Sequence, residues 1–156
     1  MLFLCEEEGI LKELYHMRIN TLIIPILPET LKEMVQMDNK KYDTFGAGEM
    51  ILPGKAKLHT WTISSYFPRD GEMSPSEYKK AIDGLVLREY ENGDTKPVEP
   101  VKFVLGRELE NGTMIFEINT YAVIDSIEWE DRKGEPGDLY YTIKLTEYKR
   151  FGTDVL

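Results

Sequence analysis

Residues 57–68 constrain the fold more tightly than any other part of the chain. His59, Trp61, Ile63, Ser65 and Phe67 alternate there with Leu58, Thr60, Thr62, Ser64 and Tyr66. A period of two puts successive side chains on opposite faces of a strand. The residues are largely β-branched and aromatic, which suits a pleated, half-buried surface. Pro68 ends the run, because proline has no N–H to donate to a ladder. A helix would scatter the same residues around its axis, so the chain must contain a sheet.

Residues 139–145 alternate in the same way and read as a closing strand, with Leu139, Tyr141, Ile143 and Leu145 facing the core. Residues 101–105 form another strand. Asn111-Gly112 predicts a tight hairpin turn between residues 107–110 and 113–118. Residues 119–129 alternate with Tyr121, Val123, Ile127 and Trp129 on one side, interrupted at Asp125. Residues 19–24 are apolar and β-branched and read as a strand stopped by Pro25 and Pro28. Residues 30–36 read either as one helical turn or as an extended piece. Residues 38–41 read as a turn or loop and 42–45 as a short strand, and Gly46-Ala47-Gly48-Glu49 breaks the pattern.

One helix is signalled. Ser74-Pro75-Ser76-Glu77 is a capping box with proline at the first helical position. Tyr78, Ala81, Ile82 and Leu85 then form an apolar stripe at helical spacing. The helix is expected to reach about Tyr90, before Asn92-Gly93-Asp94 and Pro97 forbid continuation. Strands, one helix, then more strands predict an α+β fold. Its sheet is mostly antiparallel, a twisted sheet or partial β-barrel, with one main helix over about 74–90. The expected inward set is Trp61, Ile63, Phe67, Ile82, Leu85, Phe103, Ile127, Trp129, Tyr141 and Ile143.

Size and charge bound the function. The chain has 156 residues, which suits one domain with a real core. Its 28 acidic and 19 basic residues give a net charge of −9. That argues against a nucleic-acid surface and against docking on anionic lipid. A single cysteine, Cys5, excludes an internal disulfide and a cysteine-rich zinc site. Met1 to Cys5 is apolar, but Glu6-Glu7-Glu8 follows at once, unlike a signal peptide. No stretch approaches the ~18 apolar residues of a membrane span. A soluble protein, made and kept in a reducing compartment, is the expectation.

The residues offer little catalytic chemistry. His16 and His59 are not at ligand spacing, and His59 lies inside an alternating strand. Ser64 and Ser65 lack a nucleophile-elbow pattern and read as sheet residues. Glu108, Glu110, Glu117, Glu128, Glu130 and Asp131 are numerous enough to suggest a glycan-cleaving carboxylate pair, yet their surroundings read as solvated. The loop over 130–138 does not match calcium-loop spacing. Gly46-Ala47-Gly48 is too short for a phosphate cradle. No catalytic residue, metal site or cofactor is expected.

A resemblance goes further. The segment 54–68, from Gly54-Lys55 to Tyr66-Phe67-Pro68, resembles a signature of the LysM-type baseplate proteins of contractile phages, defective prophages and phage-tail-like bacteriocins. Pro100-Val101-Lys102-Phe103 is similar to a strand of that family, and Gly137-Asp138-Leu139-Tyr140-Tyr141-Thr142 to its closing strand, which runs on to Glu147-Tyr148-Lys149-Arg150. Ile24-Pro25-Ile26-Leu27-Pro28-Glu29 is similar to its opening step. The likeness covers about residues 18–151. Members often carry a C-terminal LysM module, and this sequence stops at Leu156, so peptidoglycan binding is not expected to carry over.

The resemblance implies a structural part joining the tail-tube end and central hub to the surrounding baseplate wedge. It further implies several copies, most naturally six in a ring, within a virion tail or tail-like particle assembled in the host cytoplasm. A cell-wall glycan-degrading enzyme and a small-ligand β-barrel are the alternatives. Residues 1–17 read as an N-terminal arm and 18–156 as a single domain. Leu2, Phe3, Leu4, Leu11 and Leu14 lack obvious sheet partners and suit docking on a neighbour. Arg69 and Asp70 in one loop, with Arg132, Lys133 and Glu135 in another, are the polar contact candidates.

Overall fold

The computed structural model describes residues 14–26, 28, 30–109, 111–134 and 136–149. Nine strands and one helix follow in the order β1 (Leu14–Ile19), β2 (Leu22–Ile23), β3 (Thr30–Met34), β4 (Lys40–Thr44), β5 (Gly48–Leu52), β6 (Thr60–Phe67), α1 (Pro75–Val86), β7 (Val101–Glu108), β8 (Met114–Asp131) and β9 (Leu139–Glu147). Seven strands form one sheet in the order β2-β1-β7-β8-β9-β6-β3, and β4 pairs only with β5. Every pairing is antiparallel. The architecture is α+β, as the alternation and the single capping box predict. Among the described residues β2 and β3 are the two edges, so the sheet is rolled but open.

The rolling is visible in one contact. Trp61 on β6 meets Phe103 on β7 edge-on at 5.4 Å, although β8 and β9 lie between those strands in the sheet. The concave face is thereby filled with Met17, Ile19, Ile63, Phe103, Leu105, Ile143 and Leu145, all essentially buried. Helix α1 covers the Phe67 end of this face. Phe67 stacks on Tyr78 at 4.3 Å and on Tyr141 at 4.6 Å, and Ile82 is fully buried beside them. The expected inward set is confirmed: seven of the ten are buried, and Leu85, Ile127 and Trp129 pack partly buried against them.

The capping box forms as expected. The Glu77 backbone N–H donates to Ser74 Oγ, and the Ser74 N–H donates to Glu77 Oε1 at 3.0 Å. The helix stops at Val86, four residues short of Tyr90. Leu87 already has non-helical angles, and the chain turns to make a bridge between Glu89 and Thr95. Local hydrogen bonds, from the Tyr90 N–H to the Asp94 carbonyl and from the Lys96 N–H to the Arg88 carbonyl, replace the last helical turn.

Three other expectations need correction. Residues 19–24 are not one strand: Asn20 adopts φ 54°, and β1 and β2 fold back as a hairpin. Asparagine tolerates that left-handed conformation, and its side-chain Oδ1 also accepts the Lys102 N–H at 2.8 Å. Residues 114–129 belong to one long strand, β8, not two. Its inward phase also switches. Ala122 and Ile124 are buried where Tyr121 and Val123 were expected, and Ile127 and Trp129 turn inward after a register shift between Ile124 and Ser126. Asp125 is the inserted residue, and its carboxylate accepts from the Thr146 hydroxyl.

Residues 35–58 depart most from expectation. β3 and β6 continue past the sheet as one two-stranded ribbon. The pairing runs through Lys57 N–H to Gln36 O at 2.7 Å and Asp38 N–H to Lys55 O at 2.9 Å into the β4–β5 ladder. At its tip Gly46 and Gly48 have φ of +91° and +80°, which an L side chain rarely adopts. Gly54 lies where the strands approach most closely: a Cβ there would run into the Asp38 carbonyl.

Two predictions follow from these contacts. Phe67→Ala removes the central ring of the stack and should cost about 3–5 kcal/mol in denaturant unfolding, whereas Ser74→Ala should cost about 1 kcal/mol. Gly54→Ala should abolish amide protection in the ribbon, read by hydrogen exchange, while the protection of β6, β7 and β9 stays as in the parent protein.

Candidate interaction surfaces

Apolar or charged groups stand in solvent on the ribbon, at the β7–β8 hairpin with Met114, Ile115 and Phe116, in two loops and along one groove. The ribbon is the largest such feature. All residues of β4 and β5 except Thr44 are exposed. Paired residues share a face, so Lys40, Tyr42, Met50 and Leu52 form one side. Lys41, Asp43, Glu49 and Ile51 form the other. Phe45 at the tip has 108% relative exposure, more than an isolated reference residue. Met34, Val35, Met37 and Leu58 extend the apolar surface toward the sheet.

The two charged loops meet. The Arg69 N–H donates to Asp138 Oδ1 at 2.9 Å, and its guanidinium donates to the Pro136 carbonyl at 2.9 Å. The loop after β6 and the loop between β8 and β9 thus form one polar corner. Arg132 lies over the Tyr140 ring at 3.9 Å and donates to Glu130 Oε2 at 3.1 Å. Asp70 and Lys133 are exposed at the same corner. Glu135 lies outside the described residues, as do Leu2, Phe3, Leu4 and Leu11. Leu14 opens β1, where its backbone pairs with Glu108. Met17, within the same stretch, is buried in the core.

A groove of about 390 Å³ runs between α1 and β8. Leu87, Val98, Ile127 and Trp129 are its apolar lining residues, joined by Asp83 and Asp125. Asp83 is held in place: its Oδ1 accepts from Trp129 Nε1 at 3.2 Å, and its Oδ2 takes the Lys79 ammonium at 3.0 Å. A second recess of about 330 Å³ opens at the ribbon end of the sheet, where Arg107 and Glu117 form an ion pair at 2.6 Å beside Glu33.

The two histidines lie apart from the candidate serines, whereas Ser64, Ser65, Glu128 and Glu130 line one small recess of about 110 Å³ with Arg132 and Tyr140. His59 Nδ1, just before β6, and Glu33 Oε2 on β3 lie 2.8 Å apart, and His16 meets Glu108 at 3.3 Å across β1 and β7. Ser64 Oγ is 3.2 Å from Thr142 Oγ1, a cross-strand contact, and Ser65 Oγ donates to the Ile26 carbonyl at 3.2 Å. Glu128 and Glu130 are exposed on the outer face of β8. Among the described residues, no three His, Cys, Asp or Glu side chains converge as metal ligands. The strongest electrostatic perturbation is structural: burial pushes the Tyr141 hydroxyl far above the ordinary tyrosine value. No helix among the described residues is long and apolar enough to cross a membrane.

The ribbon went unrecognised in the sequence as a pairing unit. Its signal was the Gly46-Ala47-Gly48 turn, with Tyr42 and Phe45 before it and Met50-Ile51-Leu52 after it.

Several solved structures are similar in part. A chain of the sheath–tube complex of an extracellular contractile injection system, in the extended state, aligns with TM-score 0.49 and 16% identity, covering 86% of this chain and 84% of that one. A chain of the anti-feeding prophage tube-terminating cap aligns with TM-score 0.47 and 14% identity, covering 86% and 84%. A chain of the anti-feeding prophage baseplate aligns with TM-score 0.47 and 12% identity, covering 94% and 95%. No protein-family model matches the chain, and no curated protein matches it.

Proposed function

We propose that this protein is a structural component of a contractile phage-tail-like baseplate. It would join the tube end and central hub to the surrounding wedge, without catalytic turnover. The observation that carries an assembly role is the ribbon. A monomer working alone gains nothing from holding Tyr42, Phe45, Met50, Ile51 and Leu52 in water. An exposed apolar element with polar flanks is the form of a surface awaiting a partner.

The tail setting is supported by the sequence resemblance, whose pieces fall at structurally sensible places. Residues 54–68 run from the ribbon into β6. Pro100-Val101-Lys102-Phe103 opens β7, and Gly137 to Thr142 opens β9. The proposed partners are a tube or tube-initiator protein, the central hub and wedge proteins, with six copies in a ring. The proposed setting is the particle itself. The corner formed by Arg69, Asp70, Arg132 and Lys133 suits a polar rim contact with a different tail protein, and Glu135 is proposed for the same contact from its place in the sequence. The segment preceding β1, with Leu2, Phe3, Leu4 and Leu11, suits docking on a neighbour.

Deleting the gene from its source should leave tubes and sheaths without a completed baseplate in electron micrographs. Complete, contractile particles in the deletion strain would reject the reading. The corner is tested by Asp70→Arg with Lys133→Glu, which avoids the Arg132–Tyr140 contact. Particle yield should fall about tenfold or more, with the melting temperature of the isolated protein nearly unchanged.

A further inference from the structure

We propose that the 35–58 ribbon of one copy seats in the groove between α1 and β8 of a second copy, with Phe45 as its apolar anchor. The inference rests on the assembly role above and names the partner of the ribbon as this same chain.

The chain carries both halves of a complementary contact. The ribbon ends in a fully exposed aromatic ring, backed on one face by Tyr42, Met50 and Leu52. The groove offers Leu87, Val98, Ile127 and Trp129 within about 390 Å³. That volume lies in the range of sites that enclose small apolar ligands, so it accepts one aromatic side chain with room for a neighbour. Leu87 is 72% exposed at its margin. Large aromatic anchors entering apolar pockets are the usual energetic centre of an interface.

Charge points the same way. Residues 35–58 hold Lys40, Lys41, Lys55 and Lys57 against Asp38, Asp43 and Glu49, a net of +1, so the other residues carry −10 of the chain's −9. The groove is itself edged by Asp83 and Asp125. Lys79 also lines it, but is already ion-paired with Asp83 at 3.0 Å. The four lysines lie toward the base of the ribbon and Asp43 and Glu49 beside its tip, so this attraction acts between the ribbon's base and the acidic body, and the seating of the tip rests on Phe45.

Reach is sufficient. From Met34 to the tip the ribbon spans up to about 35 Å at the rise of a strand. Phe45 is fully exposed, so it does not occupy its own chain's groove. The ribbon's 24 residues are nearly all in solvent, so its tip can enter the groove while one face lies along the neighbouring surface. Ribbon and groove are different surfaces, so the contact is heterologous. It must close into a ring or continue as an open chain.

Sedimentation velocity on the full chain tests this, using Phe45→Ser as a ribbon-defective variant and Leu87→Glu as a groove-defective one. Both positions are exposed, and unchanged circular dichroism melts verify folding. The parent protein should associate with rising concentration, and each variant alone should self-associate about tenfold more weakly or worse. An equimolar mixture should regain association and stop at a one-to-one pair, because one intact ribbon meets one intact groove. A monomeric parent at millimolar concentration, self-association unaffected by Leu87→Glu, or a mixture no stronger than its components would each overturn the proposal. No other tail protein is present in this experiment. Its failure therefore leaves the baseplate reading to the deletion strain, and a failed baseplate reading leaves this contact measurable.

Discussion

A sheet that rolls around one face must fill its concave side without help from strand pairing, because its edges do not meet. Three stacked rings do this at the end where the helix crosses. Phe67 stands between Tyr78 of α1 and Tyr141 of β9, with Trp129 of β8 6.4 Å from Phe67. Each such pair adds about 0.5–1.5 kcal/mol beyond the area it buries. The helix would otherwise be a weak element: it is 12 residues long, and only Tyr78 and Ile82 are buried. Its capping box fixes where it starts, and the stack fixes where it lies. Trp129 Nε1, donating to Asp83, then ties the far half of the helix to β8. The groove between those elements exists because this hydrogen bond and the stack hold them at a set distance.

The opposite end of the sheet follows different physics. β3 and β6 run on as a ribbon with nothing stacked upon it. An isolated two-stranded ribbon is marginal in water, and this one places Asp43 directly across from Glu49, a pairing of like charges. What holds it is continuity with the five-residue β3–β6 ladder, the Gly54 N–H bond to Asn39 Oδ1 at 2.8 Å and the Thr44 hydroxyl bond to the Gly48 carbonyl at 2.8 Å. The stable core thus presents an element that is itself near the stability limit. Such an element gains most from a partner, because contact covers apolar groups that folding left in water.

How much of this was legible follows from where local pattern and tertiary demand agree. The Lys57-to-Pro68 alternation, the Ser74 cap, the Asn111-Gly112 turn and the 139–145 strand each state their structure within a few residues. The 119–129 strand did not, because a bulge exchanges the two faces midway. Asp125 interrupts the alternation in the sequence, but nothing local says that it adds a residue to one side of a ladder. Residues 19–24 failed for a related reason. Asn20 lies between β-branched and apolar neighbours, and only its hydrogen bonds to Lys102, 82 positions away, show that it is a turn. The ribbon was hidden because neither of its strands buries a face, so the alternation that marks a strand is absent. The polar corner was legible as two separate charged loops. That Arg69 and Asp138 join them is a fact of the β6–β9 pairing.

The free edges of the sheet explain why association should pass through the ribbon instead. β2 is two residues long and runs into Pro25, which has no N–H to offer another strand. β3 carries Lys32 and Glu33 along its short edge. Short edges, charge and proline are the usual guards against lateral pairing. The ribbon has no such guard over its apolar face: Tyr42, Met50 and Leu52 stand together, and Phe45 projects beyond them. Among the described residues the chain thus guards its sheet edges and leaves the ribbon as a long apolar projection, with a shorter exposed run at Met114, Ile115 and Phe116. Protected edges with an unprotected ribbon would direct copies into a defined contact and away from indiscriminate sheet extension.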